Sequence, residues 1–556
     1  MKQYIEKHPL AAVFAFVTVC VLPMMLFRDP SAPNELRYLS IAEEALREGH
    51  FWCFYNQGIP YTDKPPLFFW ILMLFRLICG RSVMWLPCLF TSLIPAFVTV
   101  AVMDRWLALA AREREYTPLM RLCCASLLLA GLLFAVQTFF LRMDLLMTMF
   151  IVLALFTFWK MYTPCQMSCQ AGYVGAETCS KANKWLLPIY IFLALFTKGP
   201  VGFFAPVLII TAFLTLEGQL RRIGEFLGLR QWLVMLVLFG SWILGAYLEG
   251  GREYINNLLF HQTLDRAVNA FTHKHPFWWY LPTLLYTVLP YTLLTIPALI
   301  YMYTKRHGGD SFVRLLLTSI AVIFIMLSAF SGKLAIYLTP LMPLMAYLMP
   351  RFATLTAARS EKAKRAALIV PSAIIALAGL AFWLVYLCKG FEPFSMVAFP
   401  LAVNTPYIFS TTLLVTAAVL TIGFAAACII IGRGGWQKGA IAMAATLYLA
   451  IFAFGSTVSR INEWLGYRCV AEEALLQNSG SDTYNTLFVN RPENMDLYLG
   501  CDVTDFKDDA ARFVATDHRG EVLIVNTARL RDCQPIKEYL ESNEGTPVGE
   551  FTVFSL

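Results

Sequence analysis

Long apolar runs recur from end to end of this chain of 556 residues, and they constrain its fold more than any other feature. Each run is about 18 residues or longer, which is enough for a helix to cross roughly 30 Å of hydrocarbon. Only 15% of the residues are charged and 58% are hydrophobic, whereas a soluble domain carries about 25% charged residues. The sequence therefore predicts an integral membrane protein and argues against a string of soluble domains.

Hydropathy predicts about thirteen membrane-spanning helices. The first run follows Lys2 and Lys7, but no small-residue cleavage site comes after it, so we expect a retained span and not a cleaved signal peptide. The predicted spans are 9–27, 85–104, 119–139, 144–162, 185–197, 200–217, 231–248, 278–303, 313–331, 334–350, 367–388, 408–431 and 439–458.

The distribution of basic residues predicts the orientation of these spans. Segment 65–79 is apolar but short and begins with two prolines. If it does not cross the membrane, basic groups such as Arg105 and the run 359–365 all fall on the cytoplasmic side, as the positive-inside rule requires. We therefore expect an interfacial helix at 65–79, a cytoplasmic N-terminus and an extracytoplasmic C-terminus.

The composition changes after Ser459. Residues 460–556 have an ordinary charge density, β-rich runs near 486–489 and 521–525, and helical patterns between them. We predict two parts: a transmembrane domain over 1–459 and a small extracytoplasmic α/β domain over 460–556. The fourteen cysteines form no metal-site pattern.

Two long loops on the predicted outer face, 28–84 and 249–277, carry many acids and bases. Snorkelling toward lipid headgroups is the plain explanation of the basic ones. For the whole set we favour a cationic site for a departing phosphate beside carboxylates that act on a hydroxyl. The chain has no GxxxxGK[ST] sequence, and nucleotide sugars are absent outside the cytoplasm. An activated donor delivered on a lipid is therefore expected.

Several short motifs lie in the membrane part of the chain, and they are Asn34-Glu-Leu-Arg-Tyr38, Gly58-Ile-Pro-Tyr-Thr-Asp-Lys-Pro-Pro-Leu67, Arg142-Met-Asp144, Thr197-Lys-Gly-Pro-Val-Gly202, His275-Pro-Phe-Trp-Trp-Tyr280 and Ser331-Gly-Lys-Leu-Ala-Ile-Tyr-Leu-Thr-Pro340. Each motif alone is weak, but their order, spacing and shared membrane face are specific. Together they resemble the GT-C glycosyltransferases, most closely the branch of the aminoarabinose (lipid A) transferases and the protein O-mannosyltransferases.

This resemblance implies an inverting transfer of a sugar from a polyprenyl (undecaprenyl) phosphate at the periplasmic face of a bacterial inner membrane. Lipid A or another glycolipid is the expected acceptor, with a protein hydroxyl as the alternative. Membrane lipids are expected partners and nucleic acid is not. The resemblance implies a transfer that is either metal-independent or weakly metal-assisted. We expect no cofactor, and the alternative is a weakly bound divalent metal near Asp63.

The resemblance also assigns roles to individual residues. By motif position, Tyr61, Lys64, Lys198 and Tyr337 line the phosphate of the carrier, and we add Lys333 and Arg266 to them as a hypothesis. The further substrate-binding candidates are Arg37, Tyr38 and His275, and the acids are Glu35, Asp63 and Asp144.

One position departs from the family pattern. The leading catalytic aspartate of the family falls on Asn34, whose amide cannot act as a general base. Either Glu35 or Asp144 then acts as the base, or Asn34 only orients the acceptor.

Two other classes of function are weighed against a transferase. A transporter or lipid flippase usually places ionisable residues at the bilayer midplane and shows internal repeats, whereas these spans carry almost no charge at mid-depth. A structural membrane protein would leave the outward acids and bases without a purpose.

The predicted topology can be tested directly with reporter fusions. A reporter inserted next to Lys64 and one inserted next to Asp144 should both be active on the extracytoplasmic side, and one placed at 359–365 should be cytoplasmic. Reporters that put Lys64 and Asp144 on opposite faces would contradict a shared site.

Overall fold

The structure is a computed structural model that describes residues 8–80, 85–110, 116–167, 182–259, 274–304, 310–356, 360–392, 394–478, 480 and 483–556. Long apolar helices dominate the chain up to residue 457, and a small mixed sheet with short helices follows them. The chain is a multi-pass membrane protein. Its predicted fold class, a helical bundle followed by a small α/β region, is confirmed.

The first half of the chain contains eleven α-helices and two short strands in the described residues. In chain order they are α1 Pro9–Phe27, α2 Arg37–Glu48, β1 Tyr55–Asn56, β2 Ile59–Pro60, α3 Leu67–Cys79, α4 Trp85–Ala110, α5 Pro118–Leu129, α6 Leu132–Gln137, α7 Asp144–Met167, α8 Asn183–Lys198, α9 Pro200–Leu216, α10 Ile223–Phe226 and α11 Leu229–Asn256.

The second half completes the bundle and ends in the sheet. The remaining elements are α12 Tyr280–Thr287, α13 Thr292–Thr304, α14 Ser311–Ala329, α15 Leu341–Ala346, α16 Met349–Thr356, α17 Glu361–Leu387, α18 Phe394–Asn404, α19 Thr411–Gly434, α20 Trp436–Thr457, α21 Arg468–Gln477, β3 Tyr484–Leu487, α22 Asp496–Leu499, β4 Thr504–Asp505, α23 Ala510–Val514, β5 Val522–Asn526, α24 Thr527–Asp532, α25 Gln534–Tyr539, β6 Gly545–Val548 and β7 Phe551–Ser555.

Eight helices within the described residues are long and apolar enough to cross a membrane, and four shorter apolar helices accompany them. The count of thirteen spans therefore stays a prediction. Helix α3 has 13 residues, or about 20 Å at 1.5 Å per residue, which is less than the hydrocarbon thickness. That length agrees with an interfacial helix. Helix α18 was not expected from the sequence.

Three predicted spans are interrupted. Span 119–139 divides into α5 and α6, span 278–303 into α12 and α13, and span 334–350 into a 3₁₀ turn, α15 and α16. Proline and glycine cause breaks of this kind because proline lacks the N–H that a helix needs and glycine stabilises it poorly. Gly131, Pro290 and Pro340 stand at these interruptions.

The interruptions satisfy one another's polar groups. The N–H of Leu132 donates to the carbonyl of Leu289 at 2.8 Å, and the amide of Gln137 donates to the hydroxyl of Thr339 at 2.8 Å. Irregular backbone at membrane depth is stable only where such partners exist inside the protein. Hydrogen bonds therefore join the first broken span to each of the other two.

The C-terminal sheet has the strand order β4-β3-β5-β7-β6. Strand β3 is parallel to β4 and β5, whereas β7 is antiparallel to β5 and β6. Side chains alternate between the faces, as they must in strands. Leu523 and Val525 pack on the sheet's own short helices, while Val522 and Ile524 belong to the core that continues into the bundle.

This C-terminal region is hydrogen-bonded to the loop 28–84 and to the end of α1. The hydroxyl of Ser40 donates to the carboxylate of Asp496 at 2.7 Å, and the amide of Asn494 donates to the carbonyl of Ala32 at 2.9 Å. Asn462 donates to the carbonyl of Phe27 at 2.7 Å. The C-terminal region thus holds the loop that contains Asn34 and Glu35.

Burial is the main cause that raises the pKa of Asp496 to about 6; the carboxylates of Asp502 and Glu44 also raise it, and the Ser40 hydrogen bond opposes them. Burial likewise raises the pKa of Asp29 to about 6. A carboxyl that binds its proton more tightly in the folded protein adds to the free energy of unfolding. This contribution is complete below the unfolded pKa of 3.8 and is lost as the pH rises through 6.

We therefore expect the contact between the C-terminal region and the loop to weaken as the pH rises from about 4 to about 7, by on the order of 2 kcal/mol for each carboxyl. Asp496→Asn should remove about half of this pH dependence, and the exposed control Asp508→Asn should leave it intact. Hydrogen exchange of residues 28–40 measures both. An unchanged pH profile in Asp496→Asn would contradict the assignment.

Candidate active site

Asp144 is the first residue of α7 and is 1% exposed. A carboxylate is stabilised there because the first turn of a helix presents free N–H groups and the positive end of the helix dipole. Its Oδ1 accepts a hydrogen bond from the ammonium of Lys198 in a salt bridge. Two of the predicted site residues are thus in direct contact.

Lys198 faces Asp144 because of the corner at which α8 ends. Gly199 has φ of 99°, a conformation that favours glycine, and Pro200 then begins α9. The Lys198 ammonium also lies 4.4 Å from the centre of the Tyr337 ring, within cation–π range. Tyr337 belongs to the 3₁₀ turn Ala335–Leu338.

Two further cations lie close to this pair. The positive charges of Lys64 and Arg142 repel that of Lys198, so three basic groups lie in the region of Asp144. We call these four residues and Tyr337 the Lys198 cluster. Its basic groups suit a phosphate, for which charge-assisted hydrogen bonds are strong.

A second group surrounds Arg37. Its guanidinium carbon lies 5.5 Å from the ring centre of Tyr38 and 5.6 Å from that of Tyr61, and the carboxylate of Asp63 attracts it. We call these four residues the Arg37 cluster. It adjoins the Lys198 cluster because Asp63 directly precedes Lys64 in the chain.

Glu35 is buried and hydrogen-bonded on both oxygens. Oε1 accepts from Arg28 Nη2 at 2.8 Å and from the N–H of Leu141 at 2.7 Å. Oε2 accepts from Arg28 Nη1 at 2.8 Å and from the N–H of Ser31 at 2.9 Å. A carboxylate has about four lone-pair sites, and here four donors occupy them. This geometry does not support the prediction of Glu35 as the general base.

Asn34 precedes Glu35 in the π-helical turn Ala32–Leu36 and is half-buried. Its backbone carbonyl accepts a hydrogen bond from the N–H of Arg37. Asn34 is therefore next in the chain to Glu35 and is hydrogen-bonded through its backbone to Arg37.

Two acids hold the loop that follows α2. Glu249, near the end of α11, accepts the N–H groups of Phe51, Trp52 and Cys53 at 2.9 to 3.1 Å. Glu44 accepts those of Gln57 and Gly58 at 2.7 and 2.8 Å. These carboxylates fix backbone groups that no helix or sheet satisfies.

His275 and Lys333 lie on two segments that pair with each other. Lys274 and Gly332 form an antiparallel bridge, and the His275 ring stacks on Trp279 with 4.5 Å between centres. The Lys333 side chain is buried, and its ammonium donates to the carbonyl of Phe330 in its own turn. That bond ties Lys333 to the turn before Tyr337 and gives no support for a phosphate contact.

Two further predictions concern Arg266 and a divalent metal. Arg266 lies outside the described residues. Within the described residues, no group of three or more His, Cys, Asp or Glu side chains could hold a metal ion, so the structure gives no support for a divalent metal near Asp63.

Sequence reasoning did not assign a role to Arg28 or to Glu249. Arg28 carries a usable signal, because it is a basic residue directly after the first span on the predicted outer face, against the positive-inside rule. Glu249 is an acid at the end of a long apolar run. Neither signal identifies the partner.

The chain is similar in sequence to several known proteins. No protein-family model matches the chain. It is 27% identical over 371 residues to a protein of Aquifex aeolicus whose name states no function, covering 66% of this chain and 67% of that protein. It is 26% identical over 343 residues to undecaprenyl phosphate-alpha-4-amino-4-deoxy-L-arabinose arabinosyl transferase 1 of Pseudomonas fluorescens, covering 61% and 56%. Each alignment thus spans between about half and two thirds of the relative's length.

The fold has a counterpart among solved structures. The crystal structure of ArnT from Cupriavidus metallidurans bound to undecaprenyl phosphate superimposes with a TM-score of 0.72 and 16% identity, covering 98% of this chain and 97% of that one. The resemblance drawn from the motifs is confirmed. The chain has the GT-C glycosyltransferase fold and is a sequence homologue of the aminoarabinose transferases.

Proposed function

We propose that this protein is an inverting glycosyltransferase that moves a sugar from undecaprenyl phosphate to a lipid acceptor, lipid A or another glycolipid, at the periplasmic face of a bacterial inner membrane. The observation that carries the proposal is the Lys198 cluster, in which a buried salt bridge to Asp144 is flanked by the positive charges of Lys64 and Arg142. The names of the homologues support the donor.

The charge of the Lys198 cluster explains how the donor is activated. When the bond between the anomeric carbon and the phosphate oxygen breaks, the electron pair leaves with the phosphate. Fixed cations stabilise that charge best when they are already in place, because no reorganisation is then needed. Lys64, Arg142 and Lys198 supply these cations, and Tyr337 holds the ammonium of Lys198.

The incoming hydroxyl needs a group that accepts its proton. In the proposal its oxygen attacks the anomeric carbon on the side opposite to the phosphate, and the proton passes to a carboxylate. Asp144 and Asp63 are the acids of the two clusters. Asn34, as an amide, orients the acceptor by hydrogen bonds, and Arg37 with the rings of Tyr38 and Tyr61 forms the wall beside it.

A release assay tests the activity. Purified protein should release undecaprenyl phosphate from an undecaprenyl-phosphate sugar only when an acceptor lipid is present. The donor panel should include the aminoarabinose derivative and at least one hexose derivative, and the acceptor panel lipid A and a serine-containing peptide. Release with the peptide alone would favour the protein O-glycosyltransferase alternative. No release with any pair would overturn the proposal.

Two substitutions test the site itself. Lys64→Ala should lower transfer at least a hundredfold because a cation at the departing phosphate is lost, and Asp144→Asn should do the same because Lys198 loses its partner. The matched control is Lys389→Ala, since Lys389 also lies over a tyrosine ring, at 4.8 Å from Tyr386, but outside both clusters. Normal turnover in Lys64→Ala and Asp144→Asn, at wild-type levels in the membrane, would place the site elsewhere.

A further inference from the structure

Arg28 and Glu35, which are seven residues apart, form a buried ion pair. Arg28 directly follows α1, and its guanidinium meets the Glu35 carboxylate through two parallel hydrogen bonds of 2.8 Å. The side chains are 9% and 3% exposed. Bidentate pairs of this kind fix direction as well as distance, so the pair closes the stretch 28–35 into a rigid turn.

The same two side chains hold the chain that leads into α7. Glu35 accepts the N–H of Leu141, three residues before Asp144. The Arg28 guanidinium carbon lies 4.2 Å from the ring centre of Phe140, which gives a cation–π contact. The hydroxyl of Ser92 on α4 also donates to the Phe140 carbonyl, at 2.6 Å. Segment 139–143 is therefore fixed from two sides.

The linked segments carry different parts of the proposed site. Asn34 and Arg37 flank Glu35 on one side of the link, and Asp144 begins the helix on the other. A catalytic geometry that shifts by about 1 Å can lose a factor of roughly a hundred in rate. A pair that sets the distance between Asn34 and Asp144 would therefore act on turnover without touching the substrate.

We infer that Arg28 and Glu35 form a positioning pair that sets the Asn34 segment against Asp144, and that Glu35 is not the general base. This inference rests on the proposed function. The occupied lone pairs of Glu35 carry it: Arg28 Nη1, Arg28 Nη2, Ser31 N–H and Leu141 N–H leave no acceptor site for a hydroxyl proton.

Kinetics of four variants distinguish positioning from base catalysis. Glu35→Gln should lower kcat about tenfold to a hundredfold, leave KM for the donor within about twofold, and keep the midpoint of the acidic limb of the kcat–pH profile. Arg28→Lys keeps the charge but cannot form the two parallel hydrogen bonds of a guanidinium, so its kcat should lie between those of the wild type and Arg28→Met. Arg28→Met/Glu35→Gln should be no slower than Arg28→Met, because the two residues act as one unit.

A second readout does not depend on turnover. Hydrogen exchange should rise in both 28–36 and 139–143 for each single variant. The matched control is the bidentate pair of Arg121 and Asp104, with bonds of 3.0 and 2.8 Å. This pair is remote from Glu35. Glu35 and Cys88 line the same small cavity, and Asp104 lies sixteen residues farther along α4 than Cys88. Arg121→Met should raise exchange near its own site and change kcat by less than about twofold.

The outcomes separate this inference from the proposed function. Loss of the acidic limb in Glu35→Gln would make Glu35 the base and overturn the positioning role, and so would additive effects in the double variant. A wild-type protein that releases no undecaprenyl phosphate would overturn the proposed function, while the exchange measurement would still show whether the pair links the two segments.

Discussion

The salt bridge between Lys198 and Asp144 is the interaction on which the candidate site depends. Removing either charge from water costs several kcal/mol, and the opposite charge recovers that cost only when the geometry is good. Here the geometry is set by backbone: Asp144 begins a helix, and the corner at Gly199 directs Lys198 toward it. With Asp144 in place, the protein tolerates the further positive charges of Lys64 and Arg142 at one point.

The loops around this salt bridge are held mainly by carboxylates bonded to backbone N–H groups. Glu249 accepts three consecutive N–H groups, Glu44 accepts two, and Glu35 accepts two in addition to its pair with Arg28. Irregular backbone beside a membrane requires such partners, since neither helix nor sheet satisfies it. The acids of this region thus have two different roles. Asp144 and Asp63 lie in the charged clusters, whereas Glu35, Glu44 and Glu249 maintain the shape of the loop.

The broken spans show the same requirement inside the bundle. Hydropathy treats 119–139, 278–303 and 334–350 as continuous because their residues are apolar throughout. The structure interrupts each one. The N–H of Leu132, at the first interruption, donates to the carbonyl of Leu289, and the side chain of Gln137 donates to the hydroxyl of Thr339 in the third span. The third interrupted span begins with the turn that carries Tyr337. Interruption thus allows a segment of mostly apolar residues to present a tyrosine to Lys198.

The sequence by itself determined that this is a membrane protein, because apolar length and charge bias are properties of the chain read in order. The fold and the candidate site residues followed from the resemblance of its motifs to the GT-C glycosyltransferases. It led to Lys64, Asp144, Lys198 and Tyr337, which the structure brings together. It could not separate Glu35 from the other acids, nor show that Arg28 is its partner, since a carboxylate's role depends on which donors reach its oxygens. Only the tertiary structure decided that, by folding Leu141 against Glu35 across more than a hundred residues of chain.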